Sequence, residues 1–333
     1  MRRISIIVIA ICAGMAPFPP ELIEDRYSRA IYPHVQHVLT SFSNSTTIAL
    51  FDVALALGAF VALVLLVRRG RVLNLLCFIA IAWMVFLATW GLNYRRSPVE
   101  DRPEHDRARV TPANVVAMAR RAVTEMNRLH GQVQGTPAPD LETLARSLAP
   151  AMDRAALTLD LAPPLPARPK QTWLAPYFVR AGIDGMTDPF FLETLLAPTL
   201  LDVEQPAALA HEWGHLAGLA NEAEAGFFGW LTCMRGDARA QYSGWLALYP
   251  HLLGAIPERE RKSVQIRLAA GPKYDCRRIA ERVAQSDERV RAAAHTTYDT
   301  FLRANRVEEG VDSYGAVVRL VVGMQIPVDP ARR

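Results

Sequence analysis

Lysine is almost missing from this 333-residue chain. It stands only at positions 170, 262 and 273, so 37 − 3 = 34 of the cationic residues are arginine. The arginines are spread along the chain, with no basic tail and no basic patch interleaved with aromatics, which argues against a nucleic-acid partner. Cysteine is scarce as well. The four cysteines, at 12, 77, 233 and 276, show neither C-x-x-C nor other metal-ligand spacing, which leaves the redox compartment open. Internal repeats and low-complexity tracts are also absent. What the chain has in quantity is apolar residues, 51% of the total, enough to build a sizeable core in one large domain or two small ones.

Much of that apolar content is concentrated near the N-terminus. Residues 48–67, "IALFDVALALGAFVALVLLV", carry Asp52 as their one charge, and residues 72–92, "VLNLLCFIAIAWMVFLATWGL", carry none. Each run matches a hydrocarbon core of about 30 Å at a rise of about 1.5 Å per residue. The four residues between them, "RRGR", are too few for anything but a tight turn, so the pair is expected to form a transmembrane helical hairpin. Residues 1–18, with Arg2 and Arg3 before an apolar run, have the layout of a signal peptide or an uncleaved signal anchor, the anchor being favoured because no small-x-small site precedes Pro17. Residues 19–47 then form an extracytoplasmic loop. The positive-inside rule places Arg2, Arg3 and "RRGR" in the cytoplasm and everything after Leu92 outside it. Arg95, Arg96, Arg102, Arg107 and Arg109 oppose that assignment, since arginines so close to a span prefer the cytoplasmic side.

A polar linker, 93–110, leads into a mostly helical domain, 111–333. "TPANVVAMARRAVTEMNRLHG" begins with a Thr cap and a Pro at the first helical position and ends at Gly131. "DLETLARSLAPAMDRAALTLDL" has Asp140 as a cap and an interruption or kink at Pro150. The Pro- and Gly-rich stretch that follows contains "TWLAPYFV" and "FFLETLL", which read as short strands. The fold expected is mainly α with a small β element.

The chemistry is concentrated in "ALAHEWGHLAGLANEAEAGFFGWL", residues 208–231. Pro206 suits a first helical turn and Gly218 a left-handed stop, giving a helix of about three turns. On it, His211 and His215 are four apart and project from one face, at the separation that lets two imidazoles grip one zinc ion. Glu212 follows the first histidine directly. This is the H-E-x-x-H pattern, in which the carboxylate acts as general base beside the metal site. Ordinary residue frequencies produce it by accident in about one chain in a hundred of this length. A catalytic zinc needs a third protein ligand. A second helix capped by Asn221 would return Glu222 or Glu224 toward the histidines, although Glu224 three residues past the cap also fits a capping box, and Glu222 at the first position also suits the helix dipole. The metzincin pattern fails here, because its third histidine position holds Asn221.

The run "HEWGHLAGLANEAEAGFFGWL" resembles the core of the bacterial membrane proteins grouped as domain of unknown function 3810, which look like membrane-bound, gluzincin-type zinc metallopeptidases. The resemblance extends to "WGLNYRR" (90–96) and to "TYDTFLRANRVEEGVDSYGAVVRLVVG" (297–323). It implies a zincin-like domain in the bacterial inner membrane, and it implies Glu224, the Glu immediately before Ala, as the third ligand, with Glu222 the alternative. Gly226 departs from the family's Asn at that position.

Zn2+ held by His211, His215 and Glu224, with Glu212 as general base, would hydrolyse a peptide bond. Tyr314 is the first candidate for the oxyanion donor, followed by Arg235, His251 and Tyr298. Residues 182–198 could supply an edge strand for an extended peptide. The partners expected are a peptide or protein substrate and the lipid bilayer. The alternative is a non-catalytic membrane sensor or assembly module that keeps the zinc site for structure.

Overall fold

The computed structural model describes residues 2–102, 104–305 and 316–324. The fold is mainly helical with one small sheet. In chain order the helices are α1 (Arg2–Met15), α2 (Pro20–Ile23), α3 (Tyr32–Asn44), α4 (Leu50–Leu66), α5 (Arg71–Thr89), α6 (Pro112–Val133), α7 (Leu141–Thr158) and α8 (Ala175–Ala181). They continue with α9 (Gln205–Leu216), α10 (Glu222–Met234), α11 (Ala238–Ala255), α12 (Glu258–Gln265), α13 (Ala270–Ala284), α14 (Glu288–Ala304) and α15 (Val317–Gly323). The strands β1 (Pro169–Lys170), β2 (Gly185–Thr187) and β3 (Thr194–Leu196) form a sheet of order β1-β3-β2, with β3 parallel to β1 and antiparallel to β2.

The caps form where side-chain oxygens meet orphan N–H groups. Thr111 accepts from Asn114 N at the start of α6 and Asp140 from Thr143 N at the start of α7. α7 continues through Pro150, and α6 runs to Val133, past Gly131. Two expectations need correction. "TWLAPYFV" is not a strand, since α8 begins within it with Pro176 in its first turn; a short apolar run has no period that separates strand from helix. Residues 19–47 are not a loop but carry α2, a π-helical turn and α3.

Among the described residues one helix, α5, is long and apolar enough to cross a membrane. α4, at 17 residues, is shorter, and α1 bends by 110° into the helical stretch Pro20–Ser28. Both apolar runs extend past the ends of their helices, at Ile48, Ala49 and Val67 for α4 and at Trp90, Gly91 and Leu92 for α5. Ala49 and Trp90 are buried, and Gly91–Arg95 winds into a 3-10 turn.

The folded domain clamps the start of α4. Glu193, fully buried, accepts from Leu50 N and Phe51 N at 3.0 and 2.9 Å, covering two N–H groups that the helix itself leaves unpaired. Lys170 Nζ lies 2.6 Å from the same carboxylate. Asp52 accepts from Thr172 Oγ1 and Trp173 N at 2.6 and 2.8 Å, so the one charge of that apolar run is held by protein groups. Arg95 donates to Ala13 O and Gly14 O at the end of α1, satisfying terminal carbonyls with a cation. α1 packs along α5, and a Cβ on Gly70 would lie 3.6 Å from Arg3 Nη1, so the N-terminal arginines and "RRGR" share one end of the apolar helices and the domain occupies the other.

Candidate metal centre

α9 carries the H-E-x-x-H residues as the spacing predicts. Pro206 lies in its first turn, and Gly218, at φ +80°, reverses the chain in the left-handed region where glycine is favoured. Asn221 then caps α10, its side chain accepting from Ala223 N at 2.8 Å. The two helices approach closely because small residues face each other. A Cβ on Gly214 would stand 2.9 Å from the Ala225 backbone, and one on Gly229 would stand 2.8 Å from His211 N. Gly214→Ala gains about 1 kcal/mol of helix propensity but drives its methyl into backbone, so a net loss of roughly 1–3 kcal/mol is expected. A lower unfolding temperature together with weakened metal binding is the readout.

Close packing brings three ligand atoms together. His211, His215 and Glu222 each offer one atom, all within 4.8 Å of one another. Glu222 Oε2 lies 3.1 Å from His211 Nε2 and 3.7 Å from His215 Nε2. His215 Nδ1 faces the Leu219 carbonyl at 2.8 Å; a carbonyl only accepts, so Nδ1 carries the proton and donates it. That bond turns Nε2 toward the group and fixes the ring, as partners behind metal-binding histidines do. Two nitrogens and one carboxylate oxygen are a donor set that could hold a metal ion.

This geometry corrects the expectation for Glu224. Its carboxylate points away from the histidines, where Oε1 accepts from Val99 N at 2.7 Å, near Arg96 and Arg102. Burial pushes its pKa up, against the hydrogen bond from Val99. Glu222 instead faces the histidines. Burial would raise its pKa, but the charges and hydrogen bonds of His215 and His211 together outweigh that and hold it well below the usual carboxylate range.

The same pairing predicts the pH response of metal binding. Burial favours neutral His215, but the charges of Glu222 and Glu212 and the hydrogen bonds push it up to about 9. Without metal the histidine therefore holds a proton at pH 7, and a metal must displace it. Zinc affinity is expected to fall about tenfold from pH 8 to pH 7, with about one proton released per zinc. Calorimetry in buffers of different ionisation enthalpy reads the release; an affinity that is flat over this range would contradict it.

Glu212 is buried beside the group without joining it. The Thr187 hydroxyl lies 2.9 Å from both Oε2 and the Glu212 carbonyl oxygen, so it donates to one at a time. Burial raises the Glu212 pKa, and the two histidines partly offset the rise. Gly185, also on β2, leaves room for this carboxylate, since a Cβ there would lie 2.9 Å from Glu212 Oε1.

The remaining candidates separate clearly. The Tyr298 hydroxyl of α14 donates to Glu222 Oε1, so this tyrosine orients the carboxylate. His251 is close enough for His211 to lower its pKa further after burial has lowered it. Arg235 caps the far end of α10, about 20 Å from Glu222 at 1.5 Å per residue. Tyr314 lies outside the described residues. Spacing alone does not find Thr187 or the supports from "WGLNYRR". Trp90 Nε1 donates to the His215 carbonyl at 3.2 Å, the Trp90 ring meets the His215 ring edge-on at 6.0 Å, and Arg96 donates to Gly218 O at 2.9 Å while pairing with Glu24.

A family model described as "Protein of unknown function (DUF3810)" matches residues 27–322. The chain belongs to this family. The DUF3810 match begins after α1 and takes in α4, α5, both helices of the metal group and Tyr298. No curated protein and no solved structure matches the chain. Within the DUF3810 region the "WGLNYRR" segment has a physical duty, because it braces the turn that positions His215.

Proposed function

We propose that this DUF3810 protein is a membrane-anchored, gluzincin-type zinc metallopeptidase. The observation that carries the reading is the convergence of His211, His215 and Glu222, with Glu212 beside them and unengaged as a ligand. Those three residues would hold zinc, which would supply Lewis acidity toward a peptide carbonyl and the attacking water. Glu212 takes the water's proton and delivers it to the leaving amine. Tyr298 and Leu219 hold Glu222 and His215 in place throughout. Among the described residues β2 is one of the two outer strands of its sheet, and Thr187 on it touches Glu212, so an extended peptide that paired with its outer side would pass the base.

The hydrophobic helices support a multi-pass anchor in the bacterial inner membrane, with the domain on the extracytoplasmic side. Arg3 and "RRGR" share the end remote from the domain. The arginines after α5 weigh less against this orientation than their number suggests: Arg95 is bonded to the end of α1, Arg96 to Glu24 and Gly218, and Arg107 to Asp101.

The test uses the full chain purified in detergent. One zinc per chain is expected, with cleavage of a quenched-fluorescence peptide library that a chelator abolishes and added zinc restores. Stoichiometric zinc without any cleavage would favour the alternative, a non-catalytic sensor or assembly module.

A further inference from the structure

α3 is built inside out for a helix of a water-soluble surface. Its inward side is polar: Gln36 and Thr40 are 2% and 0% exposed, and Ser43 is buried beside them. These side chains find backbone partners, Gln36 on both the N–H and the carbonyl of Leu165 and Thr40 on the Leu192 carbonyl. Its outward side carries an apolar stripe flanked by exposed His34, His37 and Ser41. Val38 and Phe42 are 65% and 59% exposed, and Ile31, the residue before the helix, is exposed too. Positions 31, 35, 38 and 42 follow the i, i+4, i+7, i+11 spacing of one helix face, so the half-buried Val35 completes the same stripe.

Exposed apolar residues follow the stripe in the chain, Ile48 and then Val53 and Leu57 on α4, the helix whose first turn the domain clamps. The metal group is tied to the same level. Tyr32, at the start of α3, donates to the Leu216 carbonyl at 3.0 Å, and Trp90, the first residue beyond α5, donates to the carbonyl of His215. Both bonds hold the C-terminal turn of α9 against the ends of the apolar helices.

We infer that the outward face of α3, formed by Ile31, Val35, Val38 and Phe42, lies on the lipid bilayer and seats the His211–His215–Glu222 group at its surface. The inference rests on the membrane part of the reading above. An apolar stripe opposite a polar face is the pattern of helices that lie in the bilayer interface. If the site is a peptidase, its substrates are then polypeptide segments that emerge from the same bilayer.

The experiment places single cysteines, labelled with an environment-sensitive fluorophore, at positions 38 and 42 of the full chain in phosphatidylethanolamine–phosphatidylglycerol vesicles. Cys12, Cys77 and Cys276 are replaced by serine. Ile79→Cys on the exposed side of α5 marks the lipid and Lys262→Cys on α12 marks the water. Probes at 38 and 42 are expected to be quenched by nitroxide-bearing lipid and shielded from dithionite, as at position 79. Dithionite access equal to that at 262 would overturn the inference, and so would shielding without lipid quenching but with cross-linking between copies. Loss of lipid quenching at 79 as well would overturn the membrane reading itself.

A second arm uses peptides anchored to lipid through spacers of about five and about thirty residues, which reach at most roughly 17 and 100 Å. Both are expected to be cut at similar rates. Cleavage of the long-spacer peptide alone would overturn the seating. Cleavage of neither, with lipid-quenched probes at 38 and 42, would overturn the peptidase reading and leave the seating supported.

Discussion

Glu212→Gln is expected to leave one zinc per chain and to lower peptide cleavage by about 10²–10⁴-fold, the usual contribution of a positioned general base. The substitution keeps the size of the side chain and leaves an amide oxygen that can still accept from Thr187. It removes the group that accepts a proton. Glu212 is outside the three-atom metal group, so metal content has no reason to change. Its burial raises its pKa, and the two histidines partly offset the rise, which makes it a stronger base than a solvated carboxylate. Zinc analysis and initial rates on the same preparation check both halves. Undiminished cleavage would remove Glu212 from the mechanism, and loss of zinc would make it a structural support of the group.

The frame of the site is legible in the sequence because it depends on local rules. Pro206, Gly218 and the Asn221 cap bound α9 and start α10 where short-range chemistry requires, and the four-residue spacing puts His211 and His215 on one face. Thr111 and Asp140 mark their helices for the same reason. Whatever depends on tertiary packing is not legible. Tyr298 reaches Glu222 across 76 positions, and Thr187 reaches Glu212 from a three-residue strand. The run 72–92 overstates α5 because hydropathy does not distinguish a lipid-facing tryptophan from Trp90, which packs on a histidine. α3 is equally hidden from local reading: its buried polar residues find their partners on backbone groups of distant segments.

The third ligand shows most sharply where local reading stops, and it gives the second large expected effect. Glu222 and Glu224 are two residues apart, about 200° around a helix, so they cannot both face the histidines. Their phase is set by the Asn221 cap, which accepts from Ala223 N and fixes Glu222 as the first residue of α10. The tight Gly214 and Gly229 contacts then decide which side of α10 meets α9. With Glu222 inward, Glu224 turns to Val99 N and the neighbouring arginines. Glu222→Ala is therefore expected to weaken zinc binding by about 10²–10³-fold, taking one ligand as roughly 3–4 kcal/mol of a structural-zinc affinity of about 10–16 kcal/mol. Glu224→Ala is expected to keep zinc affinity within a few-fold but to cost about 1–3 kcal/mol of stability, because it strips the buried Val99 N–H of its acceptor. Glu224→Gln, which retains an acceptor oxygen, should recover part of that loss. Zinc titration and thermal unfolding on the three variants separate the roles, and a Glu224→Ala protein that folds normally yet loses zinc would return the ligand to Glu224.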